Sequence, residues 1–186
     1  MRNILRNRKA LSTVVTTLII LVVSVLLAGV VSYFAINVTS TRVQEESLVL
    51  TKQHVWVASD LTVQGALMLT NTGGRDLVID KITVRGQEAI WGTQVYYALA
   101  AAGDDLSIDL TYVDPTDYTL DTFGGLTAAP VAAATDIVLP SGQTMVIYVD
   151  SPDSITINDI GLTVAFTIFT SQAMYYKETN VQAVNV

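Results

Sequence analysis

The sequence contains no cysteine and only one histidine, His54. The lack of cysteine excludes disulfides, cysteine-ligated zinc and thiol catalysis. A lone histidine excludes a metal site built from several histidines, and no partner constellation for nucleophilic catalysis accompanies it. The chain also lacks a P-loop, an HExxH motif, a GxSxG motif and a dinucleotide-binding fingerprint. We therefore predict that the protein is not an enzyme and has no cofactor and no metal site.

Charge is absent from a long stretch near the N-terminus and is unevenly distributed elsewhere. After Lys9, no charged residue appears until Arg42. Four of the ten Lys and Arg residues lie in residues 1–10, so the other six face all seventeen acidic residues and give residues 11–186 a net charge of −11. Binding to phosphate backbones needs cations, so we expect no nucleic-acid partner.

The uncharged stretch has the length and composition of a membrane-spanning helix. Residues 11–31 include 15 apolar side chains, and a helix of that length spans roughly 30 Å, about one hydrocarbon core. The four cations that precede it predict a cytoplasmic N-terminus and an extracellular remainder. A cleavable secretory signal fits less well, because Tyr33 occupies a position that its cleavage site requires to be small. An ordinary single-span anchor is the alternative interpretation.

The same pattern predicts that the helix continues beyond the span. Residues 32–53 contain no Pro or Gly, and Ile36, Val43 and Leu50 recur at seven-residue spacing. We therefore predict one helix over residues 11–53, on the order of 60 Å long. Its second half is amphipathic, which suits either a face packed on a globular domain or a seam between copies of the helix.

From His54 onward, short alternating runs separated by Gly, Pro, Asn and Asp predict a β domain over residues 54–186. Asn71-Thr72-Gly73-Gly74 predicts a hairpin turn, because Asn and Gly accept positive φ. The fold class is α+β, with a long N-terminal helix followed by an antiparallel β-sandwich. The predicted strands are residues 55–57, 61–70, 77–85, 94–99, 106–113, 136–139, 144–149, 160–171 and 174–184.

Two stretches of the β domain, residues 98–105 and 114–135, are predicted to be loops on its outer face. Such loops either pack between neighbouring subunits or remain variable and exposed to solvent. They carry or border two acidic clusters, which we interpret as solvated turn residues, since neither has the EF-hand spacing of a calcium site. The clusters are Asp104, Asp105 and Asp109, and Asp114, Asp117 and Asp121.

Two single residues have specific expectations. We expect His54 to lie at the junction between the helix and the β domain. Asn37, in Asn37-Val38-Thr39, is the sole N-glycosylation sequon and the possible modification site. A glycan there would hinder close packing of the helix, so the unmodified side chain is the simpler expectation.

The junction between the basic leader and the apolar stretch carries a family resemblance. The leader ends at Lys9-Ala10, and Leu11-Ser12-Thr13-Val14-Val15 opens the long apolar helix. This arrangement resembles an archaeal type IV pilin with a class III signal peptide. The resemblance implies that a prepilin-type peptidase cuts between Ala10 and Leu11, so that Lys9, Ala10 and Leu11 form the processing site. The chain departs from bacterial pilins, in which Gly usually precedes the cut and Glu is fifth in the mature chain, and from archaellins, whose mature start is typically Gly-rich.

The resemblance implies a structural subunit of an archaeal type IV adhesion pilus. Residues 1–10 would be removed, and the helix would serve first as a membrane span and then in the filament core. Its partners would be copies of itself in a helical polymer, the prepilin-type peptidase, and an assembly ATPase with its membrane platform. The predicted filament-core residues are Leu11, Val14, Val15, Leu18, Ile19, Val22, Leu26, Gly29 and Phe34.

The same resemblance predicts where the protein is found. The precursor would lie in the cell membrane, and the mature subunit in an extracellular surface filament. Two alternatives stay open: an archaellin of a swimming filament, and a single-span, membrane-anchored extracellular binding module that keeps residues 1–10.

Overall fold

A computed structural model describes residues 8–43, 45–114 and 123–185. The chain forms two compact units, Met1–Val43 and Gln44–Val186. The first contains one helix, α1 (Arg8–Val43), and the second contains the β strands. A long apolar N-terminal helix followed by a β domain confirms the α+β class.

Helix α1 is shorter at its C-terminal end than the sequence predicts. It ends at Val43 rather than at about Gln53, and Leu48–Gln53 belong to the first strand. The seven-residue spacing of Ile36, Val43 and Leu50 was therefore misleading. Leu48 and Leu50 are buried, while Val49 and Thr51 are exposed. This alternation is typical of a strand, and it explains why these residues belong to the first strand and not to the helix.

The β domain contains ten strands and two short 3-10 helices within its described residues. Residues 106–113 form no strand, which contradicts one prediction, and β4 and β6 were not predicted. The strands are β1 (Leu48–Ala58), β2 (Val63–Asn71), β3 (Leu77–Val84), β4 (Gln87–Glu88), β5 (Val95–Leu99), β6 (Val131–Ala132), β7 (Ile137–Leu139), β8 (Thr144–Asp150), β9 (Thr163–Thr170) and β10 (Met174–Val184). The 3-10 helices are Phe123–Gly125 and Ile157–Asp159.

The strands form one mixed sheet in the order β4-β3-β9-β10-β1-β2-β8-β5-β6, with β7 also paired to β3. Its ladders are antiparallel except the one between β1 and β10. There, Val55–Ala58 lie parallel to Val181–Val184. The wholly antiparallel arrangement that we predicted is therefore wrong at this ladder.

The hairpin predicted at Asn71–Gly74 is also wrong, because β2 and β3 are not neighbours. Strand β2 lies between β1 and β8, whereas β3 pairs with β4, β7 and β9. The Asn71 side chain is buried, and its amide donates to the carbonyl oxygens of Arg75 and Leu139. The turn-forming residues Asn71–Gly74 therefore belong to a connection between two strands, β2 and β3, that are distant in the sheet.

The main core lies on one face of the sheet and combines strands from both ends of the strand order. Leu67 of β2, Ile79 of β3 and Phe166 of β9 are all fully buried in it. Burial of this much aliphatic surface is the main source of stability for the domain. Strands β2 and β8 are buried on both faces, which explains their nearly continuous apolar sequences.

A second, smaller core lies on the other face of β1, β2, β5 and β8. Its floor includes Trp56, Met68 and Tyr148. Leu110, Val113, Phe123 and Leu126 cover this floor. We name residues 100–114 and 123–130 the cover. The prediction of an exposed outer loop is corrected for residues 114–135, because Phe123 and Leu126 are fully buried in this core. Residues 100–105 form no helix or strand and include no buried residue, as predicted for a loop.

Candidate functional site

The candidate functional surface is the apolar surface of α1. Leu11–Thr41 has a mean hydropathy of 2.9 and is long and apolar enough to cross a membrane. None of its most apolar window is buried within the chain. Every residue predicted for the filament core lies in this helix and is exposed there, including Leu11 at 68%. An apolar surface of this size needs lipid or protein around it.

The predicted core residues are concentrated on one side of α1. At 100° per residue, one face of the helix carries Leu11, Val15, Leu18, Val22, Leu26 and Gly29, and Ile19 lies beside it. Val14 and Phe34 lie at the two borders of that face. The prediction therefore describes one broad face and not the whole circumference.

The opposite face of α1, which supplies none of the predicted filament-core residues, has a different character. It carries mainly small or hydroxyl side chains, which allow close approach between helices. The signal in the sequence was their spacing of three, four or seven residues. These residues are Thr13, Thr17, Ser24, Ala28, Ser32, Ala35 and Thr39.

Five hydroxyl groups on α1 donate to backbone carbonyl oxygens of the same helix, those of Thr16, Thr17, Ser24, Thr39 and Thr41. Thr17 donates to the carbonyl oxygen of Val14 at 2.9 Å, and Ser24 donates to that of Ile20 at 2.7 Å. In each of these bonds the hydroxyl hydrogen is paired with a backbone carbonyl oxygen of the same helix. The helix can therefore lie among lipids or other helices without leaving these groups unpaired.

The predicted processing site and the sequon both lie on α1. Lys9, Ala10 and Leu11 belong to its first turns, and Leu11 is exposed. Asn37 is exposed on the same helix, and its sequon partner Thr39 donates its hydroxyl to the Ala35 carbonyl.

Residues 45–47, where the chain enters the β domain, are held by hydrogen bonds on two sides. The amides of Thr72 and Gly73 donate to the Ser47 carbonyl at 2.9 and 3.1 Å. On the other side, the Thr170 hydroxyl donates to the Glu46 carboxylate. We name residues 45–47 with these partners the collar. It fixes the first residues of the domain before β1 begins.

Gly73 is required in the collar for space and not for a positive φ. A Cβ at this position would lie 2.7 Å from the Glu45 carbonyl oxygen and 2.8 Å from the Ser47 amide nitrogen. Both atoms belong to the backbone, so neither can move aside without breaking the collar. This close approach was not visible in the sequence, because residues 45–47 are distant from it along the chain.

Replacing Gly73 with alanine should therefore destabilise the β domain by about 1–3 kcal/mol, the usual cost of overpacking. The measurement is the denaturant midpoint of the full chain in an uncharged detergent, followed by tryptophan fluorescence. Gly142→Ala is the matched control, because Gly142 has a φ of +75° but open space around it. If Gly73→Ala loses less stability than Gly142→Ala, the steric argument is contradicted.

His54 lies in β1 and not at the junction with the helix, so that prediction is wrong. Its ring stacks on Trp56 with 5.1 Å between centroids, and its Nε2 is 3.1 Å from Asp109 Oδ1. Lys52, two residues earlier, donates to the Leu106 carbonyl at 2.6 Å and also to that of Ile108. These two side chains of β1 hold the first part of the cover in place.

The first acidic cluster anchors the cover by hydrogen bonds to its own backbone. The Ala101 amide and the Thr127 hydroxyl and amide hold the pKa of Asp104 below its usual value. Ser107 does the same for the pKa of Asp105, and His54 for that of Asp109. In the described part of the chain, no group of three or more His, Asp or Glu residues is placed to hold a metal ion. Asp117 and Asp121 lie outside the described residues.

Acid should loosen the cover, because its carboxylates have lowered pKa values in the folded state. Their stabilisation is present above the ordinary pKa of 3.8 and is lost as the pH falls through the lowered values. We expect the amide NMR signals of Ala101, Ser107 and Thr127 to shift together below pH 3.8. In an Asp104→Asn control, whose side chain does not titrate, Ala101 and Thr127 should no longer respond. Signals that stay unchanged in the parent chain would contradict this role.

The chain thus has an exposed apolar helix in one unit and, in the other, a β domain with its own core. A scan against models of known protein families finds no match to this chain, and a search of curated proteins finds none either.

Proposed function

We propose that this chain is the structural subunit of an archaeal type IV adhesion pilus, polymerising through α1 after residues 1–10 are removed. The observation that carries the proposal is the exposed apolar surface of Leu11–Thr41 on a helix attached to a domain that has a separate core. The β domain does not need α1 for its own core, so the apolar helix is available for lipid or for other copies.

The leader explains how one helix serves two environments. In the membrane, the cations Arg2, Arg6, Arg8 and Lys9 hold the N-terminus on the cytoplasmic side. In a filament core, the same charges would be buried without partners, which costs several kcal/mol per ion. A prepilin-type peptidase that cuts after Ala10 removes all four. The shortened helix then leaves the membrane, driven by an assembly ATPase and its membrane platform.

Packing in the filament would use both faces of α1. Lipid tails are as apolar as leucine, so the transfer from lipid to filament gains mainly van der Waals contact and close helix approach. The small residues around Ala28 allow that approach, and the large residues around Leu18 fill the space between helices. We propose that the β domains, as two-layer sandwich heads, form the outer wall and make the adhesive contacts.

The mature N-terminus tests this proposal in one measurement. Trypsin cuts after Lys9 and not again before Arg42, because the residues between them include no Lys or Arg. A chain that keeps its leader therefore gives the peptide Ala10–Arg42, and a processed chain gives Leu11–Arg42. The two differ by one alanine and are separated by mass spectrometry.

The peptides are compared between filaments sheared from cells and the washed membrane fraction. Leu11–Arg42 in the sheared filaments supports a processed, polymerised subunit. Ala10–Arg42 confined to membranes contradicts it and favours the anchored binding module. If processed filaments form, swimming of a deletion strain compared with its surface attachment separates an archaellin from an adhesion pilin.

A further inference from the structure

We propose that the parallel ladder between β1 and β10 is a mechanical clamp that enables the β domain to carry tension applied through α1. These are the first and last strands of the domain. The inference takes α1 as the held end, as the proposed function and a single-span anchor both do, and takes the opposing load to act at the end of β10.

The direction of the two strands determines how force acts on their bonds. In the parallel register, Val55 pairs with Val181 and Ala58 with Val184. Strand β1 therefore begins at one end of the sheet, and β10 finishes at the other. Tension between the residues before Leu48 and those after Val184 slides the strands along each other, so all the ladder bonds are loaded at once. Tension from one shared end would instead break them one at a time.

The ladder between β1 and β10 connects the two parts of the sheet. It joins the part β4-β3-β9-β10 to the part β1-β2-β8-β5-β6. Among the described strands it is the only ladder between these two parts. Its failure would separate β9 from β2 and open the main core, which is built from residues of both parts.

One face of the ladder is buried in the main core. Val55, Val57 and Val181 are each at most 2% exposed. Gln182, on the other face of β10, and Ala183 are exposed. The ladder is thus shielded from water on its core side, where a hydrogen bond is stronger than in water. Beyond the ladder, the Thr179 hydroxyl donates to the Gln53 carbonyl at 3.0 Å and adds a further link between the strands.

The collar distributes the load before it reaches the ladder. Ser47 bonds to Thr72, which follows β2, while Glu46 accepts a hydrogen bond from Thr170 of β9. The entering chain is therefore attached to both parts of the sheet. Tension from α1 pulls on the two parts together and does not peel β1 away from β2.

Single-molecule pulling tests the clamp on the full chain in detergent micelles, since the absence of cysteine allows two unique thiol handles. Ser40→Cys with Asn185→Cys loads the ladder in shear. Leu61→Cys with Asn185→Cys is the matched control, because both handles then lie at the end where β1 and β10 finish. At one pulling speed, we expect the shear pair to unfold at a severalfold higher force, since forced unfolding is controlled by the unfolding rate.

Both double variants must first show the melting temperature of the parent chain. If Leu61→Cys lowers it, Asp60→Cys in the same turn takes its place. Equal unfolding forces in the two geometries, or a higher force for the control pair, would overturn the clamp. That result would leave the filament proposal untouched, because the tryptic peptides test it separately.

Discussion

Replacing Phe166 with alanine is expected to destabilise the β domain by about 3–5 kcal/mol, the usual cost of removing a buried aromatic ring. Phe166 lies on β9 and is fully buried in the main core. Its ring reaches β2 of the other part of the sheet, where it fills the space above Gly65. The measurement is urea unfolding of the full chain in an uncharged detergent, followed by tryptophan fluorescence.

Phe169 on the same strand is the matched control. Its ring is only partly buried, and the Lys81 ammonium lies 4.7 Å from the ring centroid. Such a cation–π contact is worth about 0.5–1 kcal/mol at an exposed site. Phe169→Ala should therefore cost much less than Phe166→Ala. Equal losses of stability for the two variants would show that truncating either ring of β9 is equally harmful. The burial of Phe166 in the main core would then not explain its effect.

A double-mutant cycle identifies the contact itself. A Cβ at Gly65 would lie 2.7 Å from Phe166 Cζ, so Gly65→Ala in the parent chain should cost about 1–3 kcal/mol. In the Phe166→Ala background, the new methyl group enters the vacated space and should be nearly neutral. Residues in contact show such coupling, whereas independent sites add. Additive losses would contradict the packing of the ring on β2.

Local patterns predicted the elements of this fold better than its pairings. The hydropathy of residues 11–31 located the helix, and the strand predicted over residues 174–184 matched β10. The end of α1 was missed because the seven-residue spacing of Ile36, Val43 and Leu50 was preferred to the two-residue spacing of Leu48 and Leu50, which is the strand pattern. The parallel partner of β1 was missed because β10 is more than a hundred residues away, and register depends on such distant contacts.

The cover shows why part of the site was not predictable. The sequence of residues 106–113 predicts a strand, but backbone groups of this segment pair with side chains. The Gln64 amide donates to the Val113 carbonyl at 2.7 Å, and the Val113 amide donates back to Gln64 at 2.9 Å. A glutamine thus takes the place of a neighbouring strand. Nothing local to residues 106–113 marks that substitution, whereas the processing junction needed only consecutive residues.

Replacing Ala10 with aspartate is expected to abolish filaments while leaving the protein in the membrane. The resemblance places Ala10 directly before the cut, where a small residue is found and a carboxylate would block the peptidase. The uncut chain keeps its four leader cations, and their burial in a helical core is unfavourable. Electron microscopy of the cell surface should show no filaments, and the membrane fraction should give the tryptic peptide that begins at residue 10.

Ala10→Gly is the matched control, because it keeps a small side chain before the cut and should leave processing and filaments intact. Misfolding is excluded by the melting temperature of the β domain, which is a separate unit from the helix that carries residue 10. Normal filaments built from uncut Ala10→Asp chains would show that polymerisation tolerates the leader charges. The electrostatic reason for processing would then be wrong, even if the chain is a filament subunit.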